Sequence, residues 1–117
     1  MLEKLAKLRN PSGGVFITLT YPGLFEFTPE QCKKHLERFR KAFLRRFPHS
    51  GVFWRMELKE RRSGASRGLL VPHFHMLCFF YADAMPIVEF REWLRVAWWR
   101  SVGSGDEAHL RAGTQAD

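Results

Sequence analysis

A long hairpin pattern constrains this chain more than any other feature. Residues 51–60 alternate, with Val52, Trp54, Met56 and Leu58 on one parity and Phe53, Arg55, Glu57 and Lys59 on the other, which is the period of a half-buried strand. Residues 70–81 form a second strand-like run, apolar except at His73 and His75. Between them lies Arg61-Arg62-Ser63-Gly64-Ala65-Ser66-Arg67-Gly68, a composition suited to a flexible turn. The two runs read as one antiparallel hairpin with a cationic tip. A hairpin alone is marginal in water, so its apolar face needs helices or further strands against it.

The flanking segments can supply those partners. Residues 15–21 mix β-branched and aromatic side chains and meet Pro22-Gly23, a strand followed by a turn. Thr28-Pro29-Glu30-Gln31 is a helix start, with Thr28 as N-cap, Pro29 at the first helical position and Gln31 three residues beyond the cap. That helix is predicted to run to about Phe47, with Leu36, Phe39, Phe43, Leu44 and Phe47 as its apolar stripe. Lys33, Lys34, Arg38, Arg40, Lys41, Arg45 and Arg46 crowd the rest, and read as a solvated face. Residues 85–102 form a second helix burying Phe90, Trp93, Leu94, Ala97 and Trp98, ended by Gly103-Ser104-Gly105-Asp106. Residues 1–9 suit a short amphipathic helix through Leu2, Leu5 and Leu8, ended by residues 10–14, and residues 108–111 could begin a last strand. The β-α-β-β-α-β order predicts an α+β fold, a central antiparallel sheet flanked by helices, as a single domain over residues 1–117 that stops soon after its last short strand.

Composition narrows the class. Apolar residues at 45%, with eleven Phe and four Trp, supply a real core and exclude a disordered chain. No apolar stretch is long enough for a signal peptide or a membrane span. Cys32 and Cys78 lack any zinc-finger or CxxC spacing and read as reduced thiols, giving a cytoplasmic expectation. A net charge of +7 and a pI near 10 suit a phosphate-rich partner, although charge alone does not select one.

His73 and His75 fall two residues apart on a strand, hence on one face, about 6.6 Å apart along it. Phe74 and Met76 then point the other way, into a core. Two neutral imidazoles on one face can bind a divalent metal if a third ligand comes from a neighbouring strand. If the hairpin pairs as read, Glu57 is the carboxylate inside that neighbouring strand on the charged face, whereas Glu60 lies at the strand end with opposite parity. Two nitrogens and one carboxylate oxygen make an open three-ligand site that does not itself choose among Mg2+, Mn2+ and Zn2+. The plain alternative is a pair of histidines hydrogen-bonded at a strand surface.

Three segments resemble the HUH endonucleases, and among them the rolling-circle replication initiator (Rep) proteins. Phe16-Ile17-Thr18-Leu19-Thr20-Tyr21-Pro22 is similar to the first motif, Trp54-Arg55-Met56-Glu57 to the strand supplying the acidic ligand, and Pro72-His73-Phe74-His75-Met76-Leu77 to the two-histidine motif. Residues 98–105 and 109–113 are also similar to the segments C-terminal to those motifs in such proteins. The resemblance implies a sheet related to the RNA-recognition-motif topology and Glu57, His73 and His75 as metal ligands. It implies Mn2+ or Mg2+ rather than Zn2+ as the metal. The implied reaction is nicking and rejoining of single-stranded DNA at a replication origin or hairpin, through a 5′-phosphotyrosine intermediate. The tyrosine motif of that family, on a later helix, does not occur here, so a segment beyond Asp117 or a second chain is expected to supply the nucleophile.

Tyr21 and Tyr81 are the weak internal candidates; Tyr81 shares parity with His75 but stands ~20 Å along the strand. DNA contacts are expected from Thr18, Thr20 and Tyr21, from Arg55 and Lys59 on the face of Glu57, and from Arg61, Arg62 and Arg67 at the hairpin tip. His109 reads as a satisfied surface histidine, and His35 and His49 have no evident ligand partner. Two rival functions remain at this point: a metal- and DNA-holding module without chemistry, and a metal hydrolase that uses bound water.

Overall fold

The computed structural model describes residues 14–80 and 85–117. In chain order the elements are β1 (Val15–Leu19), α1 (Pro29–Arg46), β2 (Ser50–Glu60), β3 (Leu70–Phe80), α2 (Ile87–Val102), α3 (Glu107–Ala112) and β4 (Thr114–Ala116). The strands make one antiparallel sheet in the order β2-β3-β1-β4, so the fold is α+β as the sequence pattern implies. The helix expected over residues 1–9, its end and Tyr81 lie outside the described residues.

The hairpin pairs without a slip from Ser50 opposite Phe80 to Glu60 opposite Leu70. On its other side β3 pairs with β1, from Val15 opposite Cys78 to Leu19 opposite Phe74. Strand alternation sends Val15, Ile17, Leu19, Phe74, Met76, Cys78 and Phe80 to one face, where all are buried. Both long helices cover that face: α1 brings Phe39 against Trp54 and Phe43 against Phe80, and α2 brings Phe90 against Phe80 and Trp98 against Phe74. No helix among the described residues packs on the other face, and Phe16 and Phe53 there are 64% and 68% exposed.

Local chemistry sets the helix bounds. The Thr28 hydroxyl accepts from Gln31 N–H and the Gln31 side chain accepts from Thr28 N–H, a reciprocal capping box at the start of α1. Gly103, at φ 71°, closes α2 with its N–H on the Trp99 carbonyl. The Asp106 carboxylate accepts from Ala108 N–H and starts α3, so residues 108–111 are helical rather than the beginning of a strand. The last strand begins just after Gly113.

Three residues assigned to the core by pattern stand in solvent. Leu44 is exposed because Phe39, Phe43 and Phe47, spaced four apart, aim the buried stripe of α1, and Leu44 sits about 100° round from Phe43. Met56 and Leu58 are exposed because the eleven-residue β2 runs past Trp54, where α1 meets it through Phe39. Cys32 and Cys78 are both free and buried, with burial pushing the Cys78 thiol up to about 12.

Candidate metal and nucleic-acid site

The open face of the sheet is organised in rungs. Glu57 lies directly opposite His73; Arg55 opposite His75, which lies opposite Thr18 on its other side; and Phe53 opposite Leu77, itself opposite Phe16. Opposed residues share a face. The histidines, the carboxylate, a guanidinium and two phenyl rings therefore stand on three consecutive rungs of one surface.

The centre of this surface is a hydrogen-bonded chain. Glu57 Oε1 stands 3.2 Å from His75 Nε2, and His75 Nδ1 stands 3.3 Å from Thr18 Oγ1. The bond from His75 holds the Glu57 carboxyl below its usual range, with help from the charges of Lys59 and Arg55. Desolvation holds His73 below its ordinary value, reinforced by Lys59 and Arg61, so His73 is kept neutral, as a metal ligand must be. A threonine hydroxyl both donates and accepts. With the proton of His75 on Nε2, directed at Glu57, Thr18 can donate to Nδ1. With the proton on Nδ1, Thr18 accepts it and Nε2 presents a lone pair.

As placed, no group of three or more His, Cys, Asp or Glu side chains among the described residues is gathered closely enough to hold a metal ion. Two of the expected ligands, Glu57 and His75, are in contact, and the third stands opposite Glu57 across the hairpin. Directly opposed residues are about 4.5–5.5 Å apart and diagonal ones about 7–8 Å. A cation would replace the Glu57–His75 hydrogen bond and draw in His73 by side-chain rotation, leaving the backbone in register. The donor chemistry of the three residues fits a divalent ion that keeps open positions.

Other expected contacts distribute differently. Arg55 and Lys59 are exposed beside Glu57, and Arg62 and Arg67 are exposed on the tip. Arg61 instead donates to the carbonyls of Tyr21 and Gly23, and Ser66 Oγ accepts from Phe25 N–H at 2.7 Å. The tip is thus tied down on residues 21–25 rather than being a free loop, and Arg61 is a structural clamp. Thr18 gives its hydroxyl to His75, and Thr20 gives its hydroxyl to the Gly113 carbonyl.

Tyr21 is no DNA contact and no nucleophile where it stands. It is 3% exposed, packs among Phe25, Phe27, Phe74 and Trp98, and bonds His35 Nδ1 at 3.1 Å. Burial raises its pKa far above the normal phenol value, with Cys32 adding to the shift. His35 is its buried partner, held below its usual value by desolvation.

His109 is buried, not a surface residue. Its Nε2–H donates to the Thr20 carbonyl at 2.9 Å, and the Ser104 hydroxyl bonds its Nδ1 at 3.2 Å. The Trp98 indole N–H donates to the same carbonyl, and Thr20 N–H donates to the Gly113 carbonyl at 2.8 Å. Trp98 of α2, His109 of α3 and Gly113 after it therefore fix the end of β1, two residues from Thr18. Phe16 and Phe53 were missed by pattern reading as functional residues; the parity that places Phe53 beside Arg55 and Glu57 was the available signal.

The family model described as replication-associated protein, ORF2 type, matches residues 14–112. No curated protein and no solved structure gives a significant match. No helix among the described residues is long and apolar enough to cross a membrane.

Proposed function

Because the chain belongs to the ORF2-type replication-associated protein family, we propose that it is a rolling-circle initiator domain that binds single-stranded DNA at an origin and nicks and rejoins it with Mn2+ or Mg2+. The one-sided sheet carries this reading. Helices fill one face, while the other presents Glu57, His73 and His75 next to Arg55 and the exposed rings of Phe16 and Phe53. Exposed aromatics beside cationic groups suit single-stranded nucleic acid, whose unstacked bases can lie on the rings while phosphates meet the charges.

A metal held by Glu57, His73 and His75 would supply Lewis-acid polarisation of the scissile phosphate. The chain's own residues do the rest of the positioning. Thr18 orients the His75 ring, Arg55 and Lys59 offer cationic donors to neighbouring phosphates, and Phe16 and Phe53 hold the flanking bases. Nicking requires a hydroxyl that attacks phosphorus, forms a new P–O bond and releases a 3′-OH. The burial of Tyr21 favours a hydroxyl from outside the described residues. It also gives weight to a second reading, in which the domain holds metal and DNA while another segment or chain performs the attack.

The test is binding of a fluorescent single-stranded oligonucleotide by wild type, Phe16→Ala and Phe53→Ala. Each ring supports one base, worth about 1–3 kcal/mol, so each substitution should weaken binding about tenfold with little change in melting temperature. Wild-type affinity in both variants would remove the sheet face from the DNA path.

A further inference from the structure

The cationic face of α1 is more than solvated surface. Between α1 and α2, on the side of the molecule away from Glu57, His73 and His75, runs a groove of about 510 Å³. Its rim carries Arg38, Arg45, Arg46 and Arg100, all exposed, and no carboxylate among the described residues lines it. Its floor includes Trp93, whose indole is partly open while its ring packs on Phe39, Phe43 and Phe47.

Elsewhere among the described residues arginines do find acidic partners: Arg40 with Glu37, Arg95 with Glu92 and Arg111 with Glu107. Among those same residues the four rim arginines have none. Arg38 donates to the Ser101 carbonyl at 3.1 Å and ties the two walls together, and the Arg46 guanidinium lies over the Phe47 ring at 4.9 Å. Arg45 and Arg100 stand on opposite walls of the groove, with their donors open to solvent-borne partners. Concentrating four like charges around a half-buried indole is unfavourable unless an anion joins them.

We propose that this groove is a second binding site for single-stranded nucleic acid, separate from the sheet face. Guanidinium forks suit phosphate oxygens, and an indole floor between two cationic walls suits a base stacked between successive phosphates. An acidic protein surface would satisfy the charges but would make no specific use of Trp93. Strand leaving the sheet face would pass round the edge of the sheet and seat on the helical layer, so that one domain holds the DNA on both sides.

The inference rests on nucleic acid being the ligand, and its failure can be told apart from failure of the sheet-face reading. Affinity for an oligonucleotide of about 30 nucleotides, long enough to exceed one site of about 4–16, is measured across a salt series for wild type, Arg45→Ala/Arg100→Ala, Arg45→Lys/Arg100→Lys and Phe53→Ala. Both arginines are exposed and separate from the Arg38 bond, so the variants should fold, which an unchanged melting temperature confirms. The alanine pair should lower the slope of log K against log salt by about 1.4, at about 0.7 per phosphate on a single strand. The lysine pair should keep most of the slope. An unchanged slope in the alanine pair overturns the second site, whatever Phe53→Ala does. A reduced slope with Phe53→Ala at wild-type affinity upholds the groove and removes the sheet face.

Discussion

Thr18→Val isolates the smallest part of the proposed metal site. Valine keeps the β-branched shape that suits β1 and removes only the hydroxyl, so the strand should stay in register with His75. What is lost is the partner of His75 Nδ1, at 3.3 Å in a half-buried setting. A neutral hydrogen bond contributes about 0.5–1.5 kcal/mol net, and this one is long, which places it in the lower half of that range. The corresponding loss of Mn2+ affinity is about two- to fivefold, below the ~10–100-fold seen when the outer partners of metal-bound histidines are removed. Calorimetric titration of Mn2+ into wild type, Thr18→Val and Thr18→Ser reads this directly. Serine retains a hydroxyl and should recover most of the affinity. Equal Mn2+ affinity in wild type and the valine variant would refute the claim that Thr18 orients His75 for a metal.

Two further outcomes rest on the buried histidines. Burial lowers the pKa of His35 and His109 below the ordinary histidine value, so the unfolded chain binds more protons than the folded one just below that value. Stability is then fully present above about pH 6.5 and falls as the pH drops below it, levelling off only beneath the folded-state values; urea midpoints that stay constant from about pH 7.5 to 5 would contradict this. Gly113→Ala should destabilise by about 1–3 kcal/mol, because a Cβ there would stand 2.6 Å from the His109 carbonyl and 2.8 Å from its Nε2. That amounts to a fall in melting temperature of roughly 4 °C per kcal/mol for a domain of this size, and a melting temperature equal to wild type would show that the His109 bracket is not tightly packed.

Much of the framework was legible because it depends on local chemistry and strict periodicity. The alternation of residues 51–60 decided which side chains share a face, and so brought Glu57 beside the histidines; the observed register sets it opposite His73. The Thr28 cap and its Gln31 partner likewise followed from short-range spacing. Periodicity could not say where a covering helix stops, and so Met56 and Leu58 were misplaced in the core. Nor could it find contacts between distant segments. The burial of Tyr21 against His35, the hold of Arg61 on the Tyr21 carbonyl and the bracket of Trp98 and His109 on Thr20 join residues 14 to 89 apart in sequence. Those contacts reassign three residues from DNA contact to architecture: Thr20, Tyr21 and Arg61.

If Glu57, His73 and His75 hold a divalent metal that engages single-stranded DNA on the open face of the sheet, DNA affinity must depend on that metal through those side chains. Oligonucleotide affinity is therefore measured with and without Mn2+ in wild type and in His73→Ala/His75→Ala. Mn2+ should tighten binding by wild type and leave the double variant at its metal-free affinity. Binding that ignores Mn2+ in wild type, or that responds to it equally in the double variant, would remove the metal from these three residues.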